Sequence, residues 1–204
     1  NRVRAENLQD WRHFDVVCDG DFYCHIDLQV YGRHNTMNAL AAAGTAWLLG
    51  IPGEAVSCGL GAFTGADRRM QFKGKYNGAD IYDDYAHHPD ELRATIEAVK
   101  SMGYDRIVLA FQPHTYTRTK ALFTDFVREL QKPDVVVLAE IYAARERNSV
   151  GISSMDLKKE IPGAVYCETL PEVTQFLQEN AQEGDVVLTV GAGDIFRAGE
   201  ALLK

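Results

Sequence analysis

The 204-residue sequence lacks several features that would point directly to a function. Its four cysteines form no C-x-x-C pair. No apolar run is long enough to span a membrane, and no stretch resembles a signal peptide. We therefore expect a reduced, cytoplasmic protein.

Positive charge is also scarce, because 29 acidic residues face 21 basic ones and give a net charge of −8. A nucleic-acid partner needs a basic face, so this balance argues against one, although a local basic cluster could still hold a phosphate. There is no G-x-x-x-x-G-K-[ST] sequence, and Gly191-Ala192-Gly193-Asp194 falls short of G-x-G-x-x-G because Arg197 takes the last position. This chain therefore supplies no P-loop.

What is present is typical of a folded globular protein, with 46% apolar and 25% charged residues. The chain opens on Asn1 without a methionine and continues at once into a charged stretch, which suggests a piece of a longer protein. Its length allows one large domain or two small ones.

The first part of the chain predicts a β-hairpin followed by helices. Two strand-like runs, around 14–18 and 22–30, are joined by Asp19-Gly20, a strong hairpin signal. A helix should follow Gly32 and end at Gly50, and a second should run over about 53–60. The small residues around 61–67 indicate a boundary, which gives domains 1–66 and 67–204.

Beyond this boundary, strand and helix patterns alternate. Strands are predicted at 79–83, 106–111, 135–139, 164–166 and 185–190, with helical patterns between them. The continuous apolar runs at 107–110 and 135–138 suit strands covered on both faces. The sequence therefore predicts an α/β domain that is Rossmann-like, with a mostly parallel sheet and helices on both faces.

Polar clusters follow four of the five predicted strands, where open parallel sheets bind their ligands. In the cluster DDYAHHPDEL, Pro89, Asp90 and Glu91 are accounted for by an ordinary helix start. Histidine is a poor helix cap, so this explanation leaves Asp83, Asp84, His87 and His88 unexplained. Either they form a structural polar network or they belong to a site.

Two other clusters have both a structural and a functional interpretation. In QPHTYTRTK, Arg118 and Lys120 are either solvated residues or a receptor for a carboxylate or phosphate, with His114 nearby. In GRHNTMN, Asn35 either caps the following helix or offers its amide to an adenine edge.

These segments together resemble the Mur ligase family. The resemblance rests on GRHNTMNALAA (32–42), DRRMQF (67–72), DDYAHHPDEL (83–92), FQPHTYTRT (111–119) and GAGDIF (191–196), in family order. Within the family, the chain is most similar to the members that join L-alanine to UDP-N-acetylmuramate in peptidoglycan precursor synthesis. It implies an ATP-dependent amide-forming ligase that works through an acyl phosphate, and it covers essentially the whole chain.

The resemblance also implies a domain assignment. Residues 1–66 would be the end of a central ATP-binding domain and 67–204 the complete C-terminal domain, which closes on the central one. The P-loop, the Mg²⁺ ligands and the uridine-nucleotide site would lie in the part of the family that precedes this chain. We therefore expect the 204 residues alone to be inactive, since phosphoryl transfer needs a phosphate cradle and a metal site.

Site residues are carried over from the family by position. On the ATP side these are His34, Asn35 and Asn38 for adenine, Arg69 for a phosphate or ribose, and Asp84 for ribose. The amino-acid pocket would use His87, His88 and Arg118 as catalytic residues, with His114, Thr115 and Lys120 binding substrate. Some members carry arginine where this chain has Thr115, so the carboxylate clamp is either Arg118 alone or Arg118 completed by Lys120.

Two other function classes are alternatives to a ligase. A metal hydrolase with Asp83, Asp84, His87, His88 and His114 as ligands fits poorly, because adjacent residues in a loop do not converge on one ion as an i, i+4 helical pair can. A non-catalytic nucleotide-binding or interaction domain is the other alternative. The resemblance predicts no metal ligand in this chain.

Overall fold

The computed structural model describes residues 2–204, which divide into two compact units between Ala66 and Asp67. Each unit has a hydrophobic core built from its own residues. Within residues 2–204, no helix is both long and apolar enough to cross a membrane.

The first unit is a three-stranded antiparallel sheet with two helices. Its elements are β1 (Val3–Glu6), β2 (His13–Cys18), β3 (Asp21–Asp27), α1 (Arg33–Leu48) and α2 (Gly53–Gly61). The predicted hairpin and both helices are confirmed. Asp19 and Gly20 have φ values of 50° and 100°, the positive angles that a tight two-residue hairpin turn requires.

The second unit is a six-stranded sheet with helices on both faces. Its elements are β4 (Gln71–Tyr76), β5 (Ala79–Asp84), α3 (Pro89–Lys100), β6 (Arg106–Phe111), α4 (Tyr116–Ala121), α5 (Phe123–Leu130), β7 (Val135–Ala139), α6 (Ser154–Glu160), β8 (Val165–Cys167), α7 (Leu170–Asn180), β9 (Asp185–Val190) and α8 (Phe196–Leu202). The strand order is β4-β5-β9-β6-β7-β8, and only β4 pairs antiparallel. The predicted Rossmann-like, mostly parallel sheet is confirmed.

The apolar run of β6 shows why this sheet needs two helical layers. Leu109 and Phe111 pack into the cluster that contains α3 and α5, whereas Val108 and Ala110 pack into the cluster that contains α7 and α8. All four of these residues are fully buried. Burying each larger apolar side chain contributes about 1.5–3 kcal/mol, so both faces of β6 stabilise the unit.

Four elements differ from the sequence-based expectations. The first strand, β1, was missed because it lies in the charged stretch that opens the chain. The edge strand β4 was missed because QFKGKY is polar, as edge strands often are. The short helix α8 was missed because Gly199 interrupts its pattern. The helical pattern expected between the strands at 106–111 and 135–139 corresponds to two short helices, α4 and α5, which meet at Leu122.

The sheet topology places the candidate loops side by side. The chain passes from β5 to β6 through α3, continues to β7 and β8, and then returns as β9 between β5 and β6. The carboxyl ends of β5, β9 and β6 are therefore neighbours. Such a switch in strand order is where open α/β sheets form a binding crevice.

Candidate functional site

The loop after β5 begins α3 with a histidine cap. The Nδ1 atom of His88 accepts a hydrogen bond from the Asp90 N–H at 3.2 Å, and the Glu91 carboxylate accepts from the His87 and His88 N–H groups at 2.9 and 3.2 Å. Pro89 occupies the first helical position. The expectation that a helix start leaves His88 unexplained is therefore wrong, because extended backbone at His88 brings its ring nitrogen over a free N–H group.

The two aspartates at the end of β5 are buried and bonded within the protein. Asp83 accepts from Nε of Arg68 at 2.9 Å and from the Thr189 hydroxyl at 3.0 Å. Asp84 accepts from the backbone N–H groups of Ala86 and Met70, both at 2.8 Å. Burial raises the pKa of both carboxyls, outweighing the opposing effect of their partners.

This bonding argues against the expected role of Asp84. Its side chain is 5% exposed and each of its oxygens already accepts a backbone hydrogen bond, so the geometry does not support a ribose contact. The same bonding argues against the metal hydrolase alternative, because Asp83 and Asp84 face the protein interior rather than converging with the histidines on one ion.

His87 is oriented by its own loop. Its Nδ1 atom lies 2.9 Å from the Tyr85 carbonyl oxygen, which only accepts hydrogen bonds, so we assign the proton to Nδ1. In the neutral imidazole this leaves the lone pair on Nε2. The ring also makes an edge contact with Tyr85 at 5.5 Å between centroids. His87 is thus held in the tautomer that can accept a proton at Nε2.

His114, at the end of β6, lies next to His87, with 5.9 Å between ring centroids. On its other side it stacks on Tyr142 at 5.6 Å with an interplanar angle of 20°. The backbone joins the same two loops, since Tyr142 N–H donates to Pro113 and Thr115 N–H donates to Tyr142. The loops after β6 and β7 are therefore fixed to each other around His114.

Two buried polar atoms at this strand end are unpaired. Within residues 2–204, neither Nδ1 of His114 nor Nη1 of Arg118 has a hydrogen-bond partner; we call these two atoms the polar pair. Burial lowers the pKa of His114, and the neighbouring Arg118 and His87 lower it further. A buried polar atom without a partner costs about 1–3 kcal/mol, so the polar pair favours an incoming acceptor such as a carboxylate.

Thr115 and Lys120 take different positions. Thr115 has φ 69° and ψ 140°, an unfavourable conformation for a β-branched residue, and its backbone bonds to Tyr142 and Thr119 hold it there. Lys120 is exposed and lines a surface cavity with Asp156 and Lys159. His114 and Arg118 do not line that cavity.

Glu146, which sequence reasoning missed, fixes the start of α4. Its carboxylate accepts hydrogen bonds from the Thr117 N–H at 3.0 Å and from the Thr117 hydroxyl, and these bonds lower its pKa. Acidic residues are common in loops, so the sequence offered no signal for this contact. It ties the loop after β7 to the helix that carries Arg118.

The glycine loop after β9, residues 191–194, is filled by the side chains of Gln112 and Tyr142. Oε1 of Gln112 accepts from the N–H groups of Asp194 and Ile195 at 3.0 and 3.2 Å. A Cβ atom at Gly193 would lie 2.3 Å from that oxygen and 2.7 Å from the Tyr142 ring, so only glycine fits. The loop thus serves close packing rather than phosphate binding.

Three of the expected ATP-side residues, His34, Asn38 and Arg69, are exposed. In the first unit, His34 and Asn38 are exposed on α1, and the Asn35 amide donates to the Tyr31 carbonyl at 2.8 Å. The N-cap residue of α1 is Gly32, so Asn35 is not its cap. In the second unit, Arg69 is exposed and lies 5.7 Å from the Tyr85 ring centre.

A metal centre finds no support in the described part of the chain, since residues 2–204 contain no group of three or more His, Cys, Asp or Glu side chains placed to hold an ion.

Comparison with known proteins gives consistent matches. The family described as "Mur ligase, glutamate ligase domain" matches residues 68–193. The UDP-N-acetylmuramate–L-alanine ligase of Agathobacter rectalis is 50% identical over 196 residues, which cover 94% of this chain and 42% of that protein. The corresponding ligase of Caldanaerobacter subterraneus is 42% identical over 195 residues, again 42% of its length.

Solved structures agree. The UDP-N-acetylmuramate–alanine ligase of Thermotoga maritima superimposes with a TM-score of 0.77 at 31% identity, covering 94% of this chain and 42% of that one. A pseudomurein peptide ligase of Methanothermus fervidus shares the fold, with a TM-score of 0.78 at 20% identity. The chain thus spans less than half the length of the curated relatives cited here. By its family match, its relatives and its fold, the chain belongs to the Mur ligase family.

Proposed function

We propose that this chain is part of a cytoplasmic, ATP-dependent ligase that joins L-alanine to UDP-N-acetylmuramate, and that the second unit binds and orients the L-alanine. The observation that supports it most is the polar pair of His114 and Arg118, because Arg118 acts on the charge of His114 and the His114 ring lies beside His87. An amino acid brings a carboxylate and an ammonium group together. The site offers a cation for the first and a proton acceptor for the second.

Each side chain has a defined part in this proposal. Arg118 binds the alanine carboxylate, because a guanidinium donates charge-assisted hydrogen bonds that are stronger than neutral ones. The alanine ammonium must lose a proton before its nitrogen can attack a carbonyl carbon, and Nε2 of His87 is oriented to accept it. His114 stays neutral through burial, so it adds a hydrogen bond without a second positive charge beside the ammonium.

ATP, when bound, would activate the muramoyl carboxylate as an acyl phosphate. Asn38 is suited to an adenine edge because it is exposed on α1, whereas the Asn35 amide nitrogen is already used and leaves mainly its oxygen. His34, which is also exposed on α1, is the other ATP contact proposed for the first unit, and the exposed Arg69 is proposed by itself for the second unit. Mg²⁺ is assigned to no residue of this chain.

A substrate without a carboxylate tests the alanine assignment directly. In the ligase that contains this chain, we expect L-alanine to be used far more efficiently than L-alaninamide, which has the same amine and methyl group but no negative charge. The Arg118→Ala variant should lose most of this preference. Equal kcat/KM values for the two amines in the wild-type enzyme would contradict the proposed carboxylate contact.

A further inference from the structure

Arg68, a residue that sequence reasoning passed over, links three elements at the carboxyl edge of the sheet. Its Nε donates to Asp83 at 2.9 Å, at the end of β5. Its Nη2 and Nη1 donate to the carbonyls of Gly191 and Gly193, at 2.7 and 3.2 Å, in the loop after β9. Its guanidinium carbon lies 4.8 Å from the Tyr85 ring centre and 4.6 Å from that of Phe196.

The backbone around Arg68 is anchored to the same strand end. Arg68 and Met70 have φ values of 58° and 46°, which non-glycine residues rarely adopt unless their surroundings hold them. The Arg68 carbonyl accepts from the Tyr85 N–H at 2.7 Å, and the Met70 N–H donates to Asp84 at 2.8 Å. Asp83 and Asp84 thus hold the side chain and the backbone of one turn.

This turn affects two residues of the proposed site. Arg69 lies between the two anchored residues, so its exposed side chain leaves the turn beside Tyr85. Tyr85 in turn holds His87, because its carbonyl oxygen bonds to Nδ1 of that ring. A displacement of Arg68 would therefore move both Arg69 and His87.

We propose that Arg68, anchored by Asp83, Asp84 and the carbonyls of the glycine loop, is a positioning residue that fixes Arg69 and His87 at one strand end. Arg68 itself contacts no substrate in this arrangement. The importance of positioning Arg69 and His87 depends on the proposed function, whereas the anchoring of the turn follows from the observed contacts alone. The paired aspartates of DDYAHHP therefore serve the site indirectly.

The Arg68→Lys variant keeps the positive charge of Arg68 but removes the geometry of its guanidinium group. It can still pair with Asp83, but it lacks the planar fork that reaches two carbonyls and stacks between two rings. Arg106 provides a matched control, because it donates to Asp185 at 3.0 and 2.7 Å and to the Asn180 carbonyl, at the amino end of β6. Arg106→Lys removes a similar fork away from the site.

The first measurement needs no substrate. In the 204-residue chain, Arg68→Lys should speed hydrogen exchange at the Tyr85 and Gly191 amides. The Tyr85 N–H donates to the Arg68 carbonyl oxygen, and the Gly191 N–H donates to the Asp84 carbonyl oxygen. Arg106→Lys should leave these two amides unchanged. Equal exchange in wild type and Arg68→Lys would overturn the anchoring, whatever reaction the protein catalyses.

The second measurement uses the full ligase. Arg68→Lys should lower kcat/KM for both L-alanine and ATP by about tenfold or more per folded enzyme, since small misplacements of reacting groups carry large penalties. Arg106→Lys should lower the unfolding temperature but keep both values within about twofold of wild type. If Arg68→Lys only destabilises, as Arg106→Lys does, the positioning role is refuted; failure of the proposed function would show instead in Arg118→Ala.

Discussion

His87 and His114 face each other at the carboxyl edge of the sheet, with ring centroids 5.9 Å apart and β9 between the strands that lead to them. The structure gives them different properties. His87 is held through Nδ1 by a carbonyl and keeps a lone pair on Nε2, whereas His114 is held neutral by burial and by the nearby Arg118. Proton transfer is therefore assigned to His87 and neutral hydrogen bonding to His114.

The first prediction concerns the titration of His114. Its pKa should lie below the 6.5 of an unperturbed imidazole, first because of burial and then because of Arg118 and His87. As the pH falls, the His114 ring is therefore protonated at a higher pH in the unfolded chain than in the folded one. His114 thus lowers the stability of the second unit as the pH falls below about 6.5. The His114→Gln variant should lose less stability between pH 7.5 and pH 5.

NMR titration of the imidazoles measures this shift directly. His25 is an internal control of opposite sign, because its hydrogen bond to Asp15 raises its pKa above 6.5. The two rings should therefore titrate on opposite sides of that value. A His114 ring that titrates at or above 6.5 would show that the strand end is more hydrated than the structure indicates.

The second prediction separates the two adjacent histidines. Removing the proton acceptor by His87→Ala should lower kcat in the ligase by about 10²-fold or more. His88→Ala removes a helix cap and should cost about 0.5–2 kcal/mol of stability, with little change in kcat per folded enzyme. His88→Asn, which restores a good cap, should recover the stability. Equal losses of kcat in both alanine variants would refute this division.

The third prediction concerns Asp84. An asparagine has one acceptor oxygen instead of two, so Asp84→Asn turns a donor toward either the Met70 or the Ala86 N–H group. We expect a loss of about 1–3 kcal/mol in the free energy of unfolding, measured by urea denaturation of the 204-residue chain. The exposed Asp90→Asn variant is the control and should stay within about 0.5 kcal/mol of wild type. A normally stable Asp84→Asn variant with impaired ATP kinetics would instead restore the ribose contact.

Much of the fold could be predicted from the sequence, because the buried strands are continuous apolar runs and the helices carry clear start and stop signals. The run 106–111 became β6 with the predicted bounds. The polar strand β4 and the glycine-containing α8 carry no such signal, and they form because neighbouring elements pack on them.

The candidate site was only partly predictable. Strand ends indicated where His87, His114 and Arg118 would meet, since parallel strands share one carboxyl edge. The sequence could not show that Asp83 and Asp84 bond to Arg68 and Met70, or that His88 caps its own helix, because these contacts depend on side-chain directions. Arg68 and Glu146 were missed because their contacts lie far along the chain.

The central claim is that Arg118 holds the carboxylate of the incoming amino acid, and steady-state kinetics of Arg118→Ala in the full ligase test it most directly. Loss of this charge-assisted contact should reduce kcat/KM for L-alanine by about 30-fold to 1,000-fold, or about 2–4 kcal/mol. The KM for UDP-N-acetylmuramate should change little, and the exposed Arg197→Ala variant should behave as wild type. Alanine kinetics within twofold of wild type in Arg118→Ala would place the amino-acid pocket elsewhere.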